Sequence, residues 1–166
     1  MENVNRIGVG FFAPDFVLKD SEGRKLRLSD FRGQKNLLLF FCPGKRSWFC
    51  LDCLDELNRF YDRIQLKETE VLSFTQDERW VSHRIKEEEK IRFPILKIES
   101  DLRFDPPAPP VTQQYGVQAS ESEEGNLYPA IFLVDKMGII RFRKVYTRPS
   151  EKFNTEELLC ELDKLS

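Results

Sequence analysis

The chain has 166 residues, 40% of them apolar and 33% charged, with a formal net charge of −2 at pH 7. That length suits one soluble domain over residues 1–166, and the near balance of charge argues against a broad basic face for nucleic acid. No apolar stretch is long enough to span a bilayer, and the opening MENVNR lacks the basic-then-apolar layout of a signal peptide, so no membrane contact and a cytoplasmic location are expected.

In chain order, residues 15–19 and 25–28 read as two short strands around the turn Asp20-Ser21-Glu22-Gly23, where glycine supplies the positive φ such turns need. A turn follows at residues 29–33. The run NLLLFF at 36–41 is continuously apolar and ends at Cys42-Pro43-Gly44, the pattern of a central strand buried on both faces. After a loop to Cys50 the period turns helical from Leu51, with Leu54, Leu57, Phe60/Tyr61 and Ile64 recurring at three and four. Residues 70–75 read as a strand, 78–91 as a helix whose KEEEK run is solvated surface, and 93–98 as a strand. The DPPAPP run at 105–110 is a rigid loop, 111–116 a helical turn, and 121–126 a polar loop. Strands at 130–134 and 139–145 are joined by a DKMG hairpin signal. Asn154 and Glu157 then open a terminal helix with Leu158, Leu159, Leu162 and Leu165 on one face.

Helices alternating with strands and a closing hairpin give an α/β fold: a mixed central β-sheet flanked by helices, with an N-terminal β-hairpin extension. In such a sheet reactive groups gather where strand ends meet helix starts, and Cys50 lies at such a junction.

The four cysteines are Cys42, Cys50, Cys53 and Cys160. They are too few to staple a secreted domain of this size. Cys50 and Cys53 form a CxxC, which is either half a zinc site or a redox pair. Zinc needs a second pair; Cys42 and Cys160 are isolated and His83 is the single histidine, so no metal is expected and no cofactor is called for. At a helix start the Cys50 sulfur faces unpaired N–H groups and the positive end of the helix dipole, both of which favour a thiolate. Cys53, one turn on, is within reach to attack an oxidised Cys50. Cys42 is open as a competing thiol, Cys160 reads as structural or incidental, and His83 reads as a surface residue.

At these residues the chain resembles the thioredoxin-fold redoxins, most of all the AhpC/TSA peroxiredoxin family of the bacterioferritin-comigratory type. GFFAPDFVL at 10–18, then Glu22-Gly23 and LSDFRG at 28–33, are similar to that family's N-terminal hairpin. FFCP at 40–43 resembles its FFxP strand end, and Pro43-Gly-Lys-Arg-Ser47-Trp-Phe-Cys50 its PxxxTxxC loop, with serine for threonine. Tyr115-Gly116-Val117 and Phe132-Leu-Val-Asp135 fit later segments. The resemblance implies a thioredoxin-like fold, Cys50 as the peroxidatic cysteine, Ser47 as a hydroxyl donor to peroxide, Pro43 as a shield for the thiolate, and a thioredoxin-like protein as reductant. Whether the protein is a monomer or a homodimer stays open.

Departures from that pattern point elsewhere. Pro129 stands where the family usually has an arginine, and CLDCLDEL at 50–57 resembles the CxxCxxEL of TlpA/ResA-type thiol–disulfide oxidoreductases. In those proteins a proline at this position presents backbone to a substrate chain, which makes Pro129 a candidate substrate-binding residue. Arg148 reads as a surface residue. Two chemistries follow: a thiol peroxidase with Cys53 resolving Cys50, and a thiol–disulfide oxidoreductase acting on protein disulfides.

Overall fold

Strand β3 (Asn36–Phe41) has every residue buried and lies in the middle of the principal sheet, as its unbroken apolar run requires. The structure is a computed structural model and describes residues 7–44, 48–99, 111–117, 127–147 and 153–165. On one side of β3 lie β4 (Thr69–Thr75) and then β5 (Ile95–Lys97), both parallel to their neighbours. On the other side lie β6 (Ala130–Val134) and β7 (Ile140–Val145), both antiparallel. The order β5-β4-β3-β6-β7 is the mixed sheet the sequence predicts.

The N-terminal hairpin forms from β1 (Val17–Lys19) and β2 (Lys25–Arg27), and an Asp20–Leu96 bridge ties it to the large sheet beside β5. Its turn is held by the buried Asp20 carboxylate, which accepts from the Glu22 and Arg24 amides at 2.9 Å each. The first strand starts later than residue 15 because Asp15 is used otherwise: its carboxylate accepts from the Phe16 and Ser29 amides, at 2.9 and 3.0 Å. The turn expected at 29–33 is a 3-10 turn over Leu28–Phe31.

The helices are α1 (Trp48–Arg59), α2 (Tyr61–Gln65), α3 (Arg79–Glu89), α4 (Val111–Gln114) and α5 (Thr155–Asp163). Most boundaries shift by one or two residues from the sequence reading, as with α3 and β5, and two larger departures fall in α1 and α2. Helix α1 begins at Trp48, ahead of the first periodic leucine, so Cys50 lies inside its first turn rather than before it. The chain then leaves helical geometry at Phe60 (φ −98°, ψ 8°) and re-enters it as α2. Leu54, Leu57, Tyr61 and Ile64 are all buried across that step, so periodicity alone reads as one helix. The Asn154 cap is present, its side chain accepting from the Glu157 amide at 3.1 Å.

The period of two divides the strands between two cores. Leu38, Phe40, Cys42, Val71 and Ile131 face α1 and α5, where Leu54, Leu57, Leu158 and Leu162 meet them. Leu37, Leu39, Phe41, Phe74 and Phe132 face the other way, against Phe16, Leu28 and Tyr115. Cys42 is therefore the first residue past β3 on the α1 side, anchored by its amide donating to the Phe74 carbonyl at 2.9 Å.

Candidate functional site

The C-terminal ends of β3 and β4 meet the N-terminus of α1, as ligand sites in α/β sheets commonly require. Cys50 is the third residue of the helix, where the backbone N–H groups have no intrahelical acceptor and the dipole end is positive. Its side chain is 1% exposed, and so is that of Cys53 one turn later. All four thiols are reduced; Cys42, Cys50 and Cys53 are buried and Cys160 is exposed on α5.

Beneath Cys50 is a cavity of about 10 Å³, room for roughly one water. Ser73, Thr75 and Asp77 stand at its wall with Cys42 and Cys50, but Leu51, Leu54, Ile85 and Ile95 complete it and the surface it presents is almost wholly apolar. Ser73 is fully buried, and its hydroxyl has no hydrogen-bond partner among the described residues. Gly44 takes φ +137°, and a Cβ there would stand 2.7 Å from the Asp77 carboxylate oxygen, so only glycine lets the backbone pass Asp77 this closely.

The thiols are electrostatically linked. Cys42 is hydrogen-bonded to Cys50 and, on its other side, to the Thr75 hydroxyl. Its thiol is pushed well above the ordinary range, first by the hydrogen bond to Cys50, then by burial and by the negative charges of Cys50 and Asp77; the Thr75 bond pulls the other way and loses. The Cys53 thiol is also pushed up, first by burial and then by the charges of Cys50, Asp52 and Glu56.

Pro43 is half-buried directly after Cys42. Extending the Phe41–Ala130 register by one residue places Pro129 opposite Cys42, at the same end of the sheet. Pro129 is half-buried, and its carbonyl accepts from the Tyr146 amide at 2.8 Å, continuing the β6–β7 ladder. It does not line the cavity. Ser47, with Lys45 and Arg46, falls outside the described residues, as does Arg148. His83 is half exposed on α3, with its ring nitrogens 3.3 Å from Glu22 and 3.2 Å from Glu87, in keeping with a surface residue. Among the described residues no group of three or more His, Cys, Asp or Glu is arranged to hold a metal ion.

The structure thus brings Cys42 to Cys50 and adds three residues the sequence reading passed over: Ser73, Thr75 and Asp77. One signal for them was available. In a buried strand, serine and threonine at alternate positions put two hydroxyls on one face, and Asp77 follows two residues later.

A model of the AhpC/TSA family matches residues 9–143. Alkyl hydroperoxide reductase E of Mycobacterium tuberculosis (strain ATCC 25618 / H37Rv) is 32% identical over 143 residues, which are 84% of this chain and 86% of that one. Thiol-disulfide oxidoreductase ResA of Geobacillus thermodenitrificans (strain NG80-2) is 32% identical over 157 residues, 92% of this chain and 77% of that one. The crystal structure of peroxidoxin BcpB from Mycobacterium tuberculosis superposes with a TM-score of 0.80 at 17% identity, covering 97% of this chain and 99% of that one, and shows the shared fold.

Proposed function

The chain belongs to the AhpC/TSA family, and from that premise we propose that it is a thiol peroxidase working through Cys50. The observation that carries this reading is the position of Cys50: in the first turn of α1, at the wall of a small cavity shared with Cys42, with a second buried thiol one turn on. The Cys50 thiolate attacks a peroxide oxygen. The O–O bond breaks, an S–O bond forms, and sulfur gives up two electrons to leave a sulfenic acid and an alkoxide or hydroxide. Cys53 then displaces that oxygen as water, forming the Cys50–Cys53 disulfide, and a thioredoxin-like dithiol reduces it by exchange. Ser47 and the backbone N–H groups of the helix start are donors for the peroxide oxygens. Pro43 limits access of water to the sulfur. The role is antioxidant and the location cytoplasmic; among the described residues no helix is long and apolar enough to cross a membrane.

The experiment is stopped-flow oxidation of the reduced protein by hydrogen peroxide and by an alkyl hydroperoxide, read by tryptophan fluorescence. A fast second-order phase that vanishes in Cys50→Ser is expected. A wild-type rate no better than that of an ordinary free thiol overturns the reading. The CxxC and the similarity to ResA favour a second reading, disulfide exchange on a protein substrate held at Pro129. It predicts that same slow peroxide rate together with fast Cys50-dependent reduction of a protein disulfide.

A further inference from the structure

Cys42 belongs to neither half of the CxxC, yet it is the thiol that touches Cys50. We infer that Cys42 is a working member of the site: its S–H donates a hydrogen bond to the Cys50 sulfur and stabilises the thiolate, with the Thr75 hydroxyl orienting it. The inference rests on Cys50 being the reactive thiol.

Geometry fixes the direction of the chain of bonds. Strands β3 and β4 run parallel with Phe41 beside Phe74, so the next pair along is Cys42 and Thr75. Cys42 cannot drift from that place, because its amide is bonded to the Phe74 carbonyl at 2.9 Å. The Thr75 oxygen accepts from the Asp77 amide at 3.2 Å, and its own proton is left for the Cys42 sulfur. With its sulfur already accepting, Cys42 directs its proton at Cys50. Three side chains in a buried corner are thereby ordered head to tail, from Asp77 N–H through Thr75 and Cys42 to Cys50.

The surroundings give this donor something to oppose. Asp77, Asp52 and Glu56 place negative charge around the thiol cluster, and burial disfavours any anion. A hydrogen bond to a charged group is about twice as strong as one between neutral groups, so even a weak S–H donor counts when its acceptor is a thiolate. Nucleophilic attack needs a thiolate, and the Cys42 proton is held in place while Cys50 is charged, so Cys42 serves the reduced state as donor and leaves resolution to Cys53.

The test is a thiolate titration without peroxide, in a Cys53→Ser/Cys160→Ser background, following ultraviolet thiolate absorbance and the pH dependence of Cys50 alkylation by iodoacetamide. Cys42→Ala removes the donor and is expected to raise the Cys50 midpoint by about one pH unit, a tenfold loss of thiolate below it. Cys42→Ser keeps an O–H donor and is expected to hold the midpoint near the parent value. Thr75→Val, which leaves Cys42 in place but unoriented, is expected to give a smaller rise and serves if Cys42→Ala does not fold. An unchanged midpoint in folded Cys42→Ala, or in Thr75→Val where Cys42→Ala does not fold, overturns the inference. So does a Cys42–Cys50 disulfide in the peroxide-treated full chain, since Cys42 would then be the resolving thiol. Loss of the peroxide phase in Cys50→Ser alongside an unchanged Cys42→Ala midpoint fails this inference alone; retention of that phase in Cys50→Ser fails the peroxidase reading instead.

Discussion

The two faces of the central sheet are built from alternate residues of the same strands, yet they are packed to opposite ends. Away from α1, Phe41 stacks on Phe74 with ring centroids 4.4 Å apart, Phe16 meets Phe74 edge-on at 5.3 Å, and Tyr115 meets Phe132 edge-on at 5.2 Å. The buried Tyr115 hydroxyl in that cluster donates to the Pro14 carbonyl at 2.7 Å. Toward α1, the neighbours of Phe41 and Phe74 in the chain are Cys42, Ser73 and Thr75, which help to line a cavity, and the Ser73 hydroxyl has no hydrogen-bond partner among the described residues. Close aromatic packing supplies stability, whereas a thiol site needs polar groups, some open volume and thiols held in contact. Period-two alternation lets one strand serve both demands without either face compromising the other.

The largest effect that follows is on the aromatic face. Phe74→Ala removes a fully buried ring with two aromatic neighbours, and unfolding by denaturant is expected to show a loss of about 3–5 kcal/mol. The loss should appear in the midpoint, with the peroxide rate of the protein that remains folded little changed. A large drop in the rate of the folded fraction would mean that the two faces are mechanically coupled and break the division drawn above.

Alkaline pH separates the faces by a different route. Cys42 and Cys53 are acids whose pKa values are raised in the folded state. The unfolded chain loses these protons from about pH 8.5, so above that value it binds fewer protons than the fold, and stability falls as pH rises toward the folded values. Each thiol contributes a slope of at most about 1.4 kcal/mol per pH unit. Tyr115, raised chiefly by burial, adds its own loss only from about pH 10. Denaturation midpoints measured from neutrality to pH 10 should therefore fall first on account of the thiols, and Cys53→Ser should flatten the lower part of that fall. An unchanged slope in Cys53→Ser would show that its thiol is as accessible to base in the fold as in the unfolded chain.

Much of this architecture was legible in the residues, and the reasons differ by element. NLLLFF read as a doubly covered strand, Asn154 and Glu157 as a cap, and the CxxC after the FFCP strand end pointed to the corner where Cys42, Cys50 and Cys53 gather. The step at Phe60 was not legible, because the residues on both sides keep the same buried stripe. Nor was the start of α1 at Trp48, since Trp48, Phe49 and Cys50 carry no polar partner in the sequence to mark a period. The Cys42 contact was invisible for a deeper reason: seven residues stand between it and Cys50 in the chain, and only the register of β3 on β4 sets which way its sulfur leans.

Ser73 offers the finest test of the contrast between faces. It pairs with Ile95 in the β4–β5 ladder, so its backbone is fully used, and the cost of its burial lies in the hydroxyl alone. Leaving a buried hydroxyl unbonded costs about 1–3 kcal/mol, while deleting one oxygen enlarges the adjoining cavity slightly. Ser73→Ala is therefore expected to raise the stability of the reduced protein by about 1 kcal/mol in denaturant unfolding. Phe74→Ala, one residue along on the other face, moves the same measurement the opposite way. A loss of stability in Ser73→Ala would mean that the cavity holds a water bonded to this hydroxyl, and the thiol face would then be as well satisfied as the aromatic one. The gain, if found, would mark Ser73 as a polar group kept at a thermodynamic cost in the cavity it shares with Cys50, where an alanine would have packed as well and bound nothing.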